Sequence, residues 1–230
     1  MTRLGGLSDE LQRACVLACI KLATGIAVRP RAETELIEAD SRAAGCWSGR
    51  RSRRGVPLGH LPAIADTVSK YRLFSWLDGQ TLADSATIVF ARDDDYTFGV
   101  LHSRVHELWA RGMGTQLREV ESGFRYTPTT CFETFPFPRP TAQQRSSIAE
   151  AAWELDRLRR GWLDPAGWSE SRKKARTLTN LYNEKPQWLL DIHARLDAAV
   201  LAAYGWSADL AAHDLVGQLL ALNLARESAE

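Results

Sequence analysis

The 230 residues carry 29 basic and 28 acidic side chains, a formal charge of +1, and 45% of them are hydrophobic. That length suits one large domain or two small ones, and the composition is that of an ordinary soluble chain rather than a disordered one. The four cysteines, Cys15, Cys19, Cys46 and Cys131, lack the Cys-x-x-Cys spacing of a zinc ribbon and outline no disulfide framework, so reduced thiols in the cytosol are expected.

The near-neutral total hides blocks. Residues 1–66 are net +3, 67–138 net −2, 139–176 net +4 and 177–230 net −4. Affinity for nucleic acid depends on the local basic surface that meets phosphates, not on the whole-chain sum. The apolar run Ala14–Val28 is interrupted by Lys21 and falls short of the roughly 20 residues a bilayer needs. Asp9 and Glu10 sit where a signal peptide would carry positive charge, so neither export nor a membrane partner is expected and the location is cytoplasmic.

Leu7–Thr24 reads as a helix with Ser8 as its N-cap, and Arg31–Ala44 as a second. Gly45–Leu61, with Arg50, Arg51, Arg53 and Arg54, reads as a loop or a basic disordered segment. Either a phosphate-binding arm or a basic patch with no specific partner fits it. Tyr71–Leu77 suits a strand, Asp78-Gly79 a turn, and Ala86–Ala91 is the clearest strand of the chain. A helix beginning near Thr97 or Phe98 places Leu101, Val105, Leu108 and Trp109 on one buried stripe and ends at Gly112 and Gly114. Phe124–Thr130 reads as another strand. Phe135–Pro140 must be extended, because proline excludes helix, and looks like a hinge. Helices follow at Thr141–Arg160 (capped by Thr141), Ala175–Asn183, Gln187–Tyr204 and Leu210–Glu227.

Several blocks, taken in order, carry a resemblance: Ser69-Lys-Tyr-Arg-Leu-Phe-Ser-Trp76, Phe98-Gly-Val-Leu-His-Ser-Arg-Val-His-Glu-Leu-Trp109, Tyr126-Thr-Pro-Thr-Thr-Cys-Phe-Glu-Thr-Phe-Pro-Phe-Pro138, Arg176-Thr-Leu-Thr-Asn-Leu-Tyr-Asn183 and Ala202-Ala-Tyr-Gly-Trp206. Over about residues 67–227 the chain resembles the MmeI-like DNA methyltransferases, in their target-recognition domain and helical tail. The resemblance implies an α+β fold: a poorly defined N-terminal segment at 1–66, a mixed, strand-containing recognition domain at 67–140 and an all-helical domain at 141–230. It implies double-stranded DNA as partner. The function implied is sequence reading for an adenine-N6 methyltransferase of the restriction–modification type that uses S-adenosylmethionine.

The catalytic motifs themselves are missing. Such enzymes need an Asn/Asp-Pro-Pro-aromatic loop, whose polar group accepts hydrogen bonds from the target amine while its aromatic stacks on the flipped base, and no such loop occurs in these residues. Leu163-Asp-Pro-Ala-Gly-Trp168 superficially resembles a cofactor motif but lacks its second glycine and a preceding strand, so it reads as an interhelical loop. No cofactor and no catalytic residue are therefore expected here, and methylation should need another chain or segment.

His102 and His106 stand four apart on the expected helix, but the His-Glu-x-x-His pattern and a third ligand are lacking, so packing is expected and no metal site. For DNA the candidates are Lys70, Arg72, Arg104, Arg111, Arg118, Arg125, Tyr126, Thr127, Thr129, Thr130 and Arg139. Cations neutralise phosphates or read guanine edges, and hydroxyls bond phosphates or bases. A solvated surface strand is the bland alternative. Trp188, Leu189, Ile192, Leu196, Val200, Leu201 and Tyr204 form a stripe that is either core or an interface. If exposed, it implies a module docking on a separate methyltransferase subunit; a remnant without function is the third alternative.

Overall fold

The computed structural model describes residues 61–64, 70–77, 87–90, 92–116 and 123–227. The two N-terminal helices, the arginine cluster at 50–54, the Asp78-Gly79 turn and Arg118 lie outside the described residues. A three-stranded antiparallel sheet, ordered β2-β1-β3, is built from β1 (Leu61–Ile64), β2 (Phe74–Leu77) and β3 (Ile88–Val89). Phe74 is its apolar centre, fully buried and edge-on to Phe90 and Tyr126. The architecture is α+β, as expected.

The helix expected after the aspartates is two helices, α1 (Asp95–His102) and α2 (Arg104–Met113). Ser103 divides them. Its extended backbone ends α1, its hydroxyl donates to Val100 O at 2.7 Å, and the same oxygen accepts from His106 N at 3.4 Å as the cap of α2. A serine that bonds the backbone in this way competes with helix continuation. The stripe survives the break, since Leu101, Val105, Leu108 and Trp109 are all buried. α1 is buried from Tyr96 to His102 and crosses the long helix α4 (Ala142–Leu163) so closely that a Cβ on Gly99 would lie 2.9 Å from Ile148 Cγ2. α4 starts with a full capping box between Thr141 and Gln144, as the sequence suggests for its N-terminus.

The strand expected at Phe124–Thr130 is a correction. Only Phe124–Arg125 is strand (β5), paired with β4 (Thr115–Gln116), and Pro128–Cys131 forms a short helix, α3. Proline is the reason: it lacks the N–H a ladder needs and is preset for the first helical turn. The tail continues with α5 (Glu170–Lys173), α6 (Leu178–Glu184), α7 (Gln187–Tyr204) and α8 (Ala212–Glu227). α6 begins after Thr177, whose hydroxyl accepts from Asn180 N, rather than at Ala175.

The proline track is extended and packs against both of the parts it joins. Phe135, Pro136, Phe137 and Pro138 are buried, and the carbonyls of Thr134, Pro136, Phe137 and Pro138, which belong to no sheet, are met by side chains from three helices. Asn223 donates to Thr134 O (2.7 Å), Tyr204 to Pro136 O (2.8 Å), Arg226 to Phe137 O (2.8 Å) and Tyr96 to Pro138 O (3.2 Å). Among the described residues the buried apolar side chains form one continuous cluster from Phe74 to Leu219, running across residue 140. The Trp188–Tyr204 stripe contributes to it: Leu189, Ile192, Leu196, Val200 and Leu201 are buried against the rest of the chain, and Trp188 and Tyr204 pack beside them.

Candidate nucleic-acid interface

Of the polar residues expected to face a ligand, Arg72 and Tyr126 are buried in the interior. Arg72 is buried beneath α1 and α2. Its guanidinium donates to Leu101 O at 2.5 Å and to His106 Nδ1 at 2.9 Å, and lies 2.9 Å from the Glu107 carboxylate. His106 Nδ1 also lies 3.1 Å from Leu101 O, and its Nε2 faces the Tyr126 hydroxyl at 3.2 Å. Tyr126 is 1% exposed, and burial, with Cys131 nearby, pushes its phenol well above its ordinary range.

A second buried arginine repeats the theme. Arg159 donates to Phe74 O at 2.7 Å and to His102 Nε2 at 2.8 Å, while His102 Nδ1 donates to Phe98 O at 3.1 Å. Burial, and then the neighbouring guanidinium, holds both imidazoles well below their ordinary range: Arg159 for His102 and Arg72 for His106. Burial pushes the Glu107 carboxyl up, but Arg72 and Arg111 outweigh it and leave it below its usual range. The histidines thus hold the fold together through their ring nitrogens, on two different helices rather than one.

Arg104 is also structural. Its backbone N–H is capped by Asp197 of α7 at 2.7 Å, and its guanidinium donates to Ala208 O at 2.7 Å. Thr127 and Thr130 are half-buried at the two ends of α3, with Thr130 N donating to Thr127 O at 3.1 Å. The outward-facing members of the expected set are Lys70, Arg125, Thr129 and Arg139.

These are not scattered. Arg111 links the hairpin to Lys70, with its guanidinium 5.5 Å from the Phe124 ring and 3.5 Å from Lys70 O. Lys70 Nζ and the Tyr71 hydroxyl then donate to Asn183 Oδ1 of α6 at 3.2 and 2.9 Å. A polar band therefore runs from Arg125 across Arg111 and Lys70 to the tail. Asn183 and Tyr71 were not singled out in sequence, because contacts across 112 residues leave no local signal. The hairpin itself is set tightly on α2: a Cβ on Gly114 would lie 2.5 Å from Phe124 Cε2 and 2.8 Å from Arg125 O. Only a glycine permits that approach.

The loop Leu163–Trp168 joins two helices, with Asp164 ion-paired to Lys173 at 2.5 Å and the Trp168 ring within 4.5 Å of two guanidiniums. Among the described residues no three His, Cys, Asp or Glu side chains are grouped as metal ligands, and no helix is long and apolar enough to cross a membrane.

The described residues form an α+β body in which a short polar hairpin sits on a buried helix and a helical tail packs behind it. Residues 49–139 match the family described as MmeI, target recognition domain, so this part of the chain is similar to that domain. The match begins before residue 67 and stops at the end of the proline track. DNA methyltransferase A of Bacillus subtilis (strain 168) is 26% identical over 146 residues, which are 63% of this chain and 15% of that protein. The fold also matches the solved structure of the Type IIL restriction-modification enzyme MmeI in complex with DNA. The TM-score is 0.64 at 24% identity, with 98% of this chain and 28% of that one covered. The chain thus spans well under a third of either relative.

Proposed function

We propose that this chain reads the sequence of double-stranded DNA as the specificity portion of a restriction–modification methyltransferase. The observation that carries this reading is the coincidence of the matched family segment with the outward-facing Arg125, Thr129 and Lys70, which the half-buried Arg111 links. Arg125 and Thr129, on the hairpin and α3, are placed to read base edges in a groove; Lys70 and Arg139 neutralise phosphates beside them. The interior network fixes the presenting backbone, since the Tyr126 hydroxyl anchors the residue that follows Arg125. Transfer of a methyl group from S-adenosylmethionine to adenine N6 belongs to a catalytic domain other than these residues, on the same or a separate subunit.

The docking alternative loses the feature it rested on, because the Trp188–Tyr204 stripe packs against this chain's own core. The test is retention of a randomised duplex pool at two salt concentrations, followed by sequencing. Retention that falls with salt and is enriched in one short motif is expected. A folded chain that retains no DNA, or retains it without a motif, overturns the reading.

A further inference from the structure

The net-positive stretch between α4 and α6 carries an arrangement that the recognition hairpin does not use. Arg176 lies 4.4 Å from the Trp162 ring centroid and 4.5 Å from that of Trp168, and Arg172 lies 4.4 Å from Trp168. One indole face has room for one guanidinium at such a distance, so the four side chains stack in the order Trp162, Arg176, Trp168, Arg172. Each guanidinium sits over an indole face, and a guanidinium lying flat on such a face turns its N–H edge sideways, where a planar fork can meet a phosphate. Arg176 directs one edge to Trp162 O at 2.7 Å. The Arg172 guanidinium makes no hydrogen bond or ion pair among the described residues, and it is exposed, as is Lys174.

Lys173 is different. It is neutralised by Asp164 at 2.5 Å and Glu170 at 3.0 Å, which leaves Arg172, Lys174 and Arg176 as the uncompensated cations. The far end of this surface joins the hairpin band. α6 starts at Leu178, two residues after Arg176, and brings Asn183 to Lys70 and Tyr71, seven residues on from Arg176. Seven helical residues span about 10 Å, over which a duplex presents about six phosphate charges.

We infer that the Trp162–Arg176–Trp168–Arg172 stack, with Lys174, is a second contact surface for the DNA phosphate backbone, engaging it outside the bases that the hairpin reads. This rests on the proposed DNA reading and adds a sequence-independent grip from the tail. Ordered cations on aromatic faces bind phosphate with little loss of side-chain freedom, and each phosphate neutralised releases counterions.

The experiment compares the full chain with the double variant Arg172→Gln/Lys174→Gln and with Arg125→Ala, by duplex titration across salt. Both substituted sites of the double variant are exposed, and an unchanged melting temperature verifies its fold. Loss of two phosphate contacts should flatten the slope of log affinity against log salt by about 1.8, so the deficit shrinks roughly tenfold from about 50 to about 200 mM salt. The preferred motif should stay the same. Arg125→Ala should instead change the motif. If the double variant binds with the wild-type slope while Arg125→Ala weakens or redirects binding, the tail surface is only a structural staple and this inference fails alone. If the wild-type chain binds no DNA, the reading of the hairpin fails with it.

Discussion

The arginines beneath α1 and those beside α5 make an instructive pair. Arg72 and Arg159 sit at 4% and 2% exposure, with their N–H groups on the backbone carbonyls of Phe74 and Leu101 and on two neutral imidazoles. Arg172 and Arg176 lie at the surface with their planes against tryptophans. The residue type is the same and the roles are opposite. An arginine whose terminal N–H groups meet fixed carbonyls in the interior is part of the scaffold, whereas one held over a ring at the surface, as Arg172 is, keeps its edges for a ligand.

Three outcomes sharpen that contrast. The largest is expected for Arg72→Met. It removes charge-assisted hydrogen bonds worth about 1.5–3 kcal/mol each and leaves Leu101 O without its guanidinium partner, so stability should fall by about 3 kcal/mol or more. Urea unfolding measures this. If Arg72 were a DNA contact instead, stability would hold while affinity dropped.

Acidification comes next and needs no substitution. The unfolded chain takes up protons at His102 and His106 as pH falls through about 6.5, and the folded chain does not. Stability present above that pH is therefore lost below it, by about 1.4 kcal/mol per pH unit for each imidazole. His193, lowered to about 4 by burial and Arg159, adds to the loss until its own folded pKa is reached. Asp197, raised to about 6 by burial, opposes it by binding its proton first in the folded state. Three groups against one leave a net loss. Urea midpoints measured from neutral to mildly acid pH check this, and a flat profile would mean that the imidazoles are charged in the fold.

Arg125→Ala marks the small end. An exposed side chain of this kind should move the unfolding free energy by less than about 0.5 kcal/mol. A calorimetric melt showing a large loss would place Arg125 with the scaffold arginines.

Much of the architecture was legible in sequence because periodicity reports burial. The Leu101–Trp109 stripe, the cap at Thr141 and the bounds of α7 follow from spacing and capping chemistry. The break at Ser103 was not legible, since a serine within an apolar helical pattern is ordinary until its hydroxyl is seen bonding both helices. The site was harder. Arg72 and Lys70 are two residues apart in a strand-like segment, and only tertiary packing decides which is buried. Tyr126 resembled a groove contact for the same reason, until His106 was found across from it.

The proline track gives the chain a different kind of boundary from the one its sequence suggests. Its four gripped carbonyls make the recognition segment and the tail one cooperative unit, because Asn223 and Arg226 of the last helix complete the hydrogen bonding of Thr134 and Phe137. A recombination event that cut at residue 140 and grafted a foreign tail would strand those groups in the interior. Exchange of specificities between relatives should therefore carry the helices along with the hairpin as a single heritable cassette.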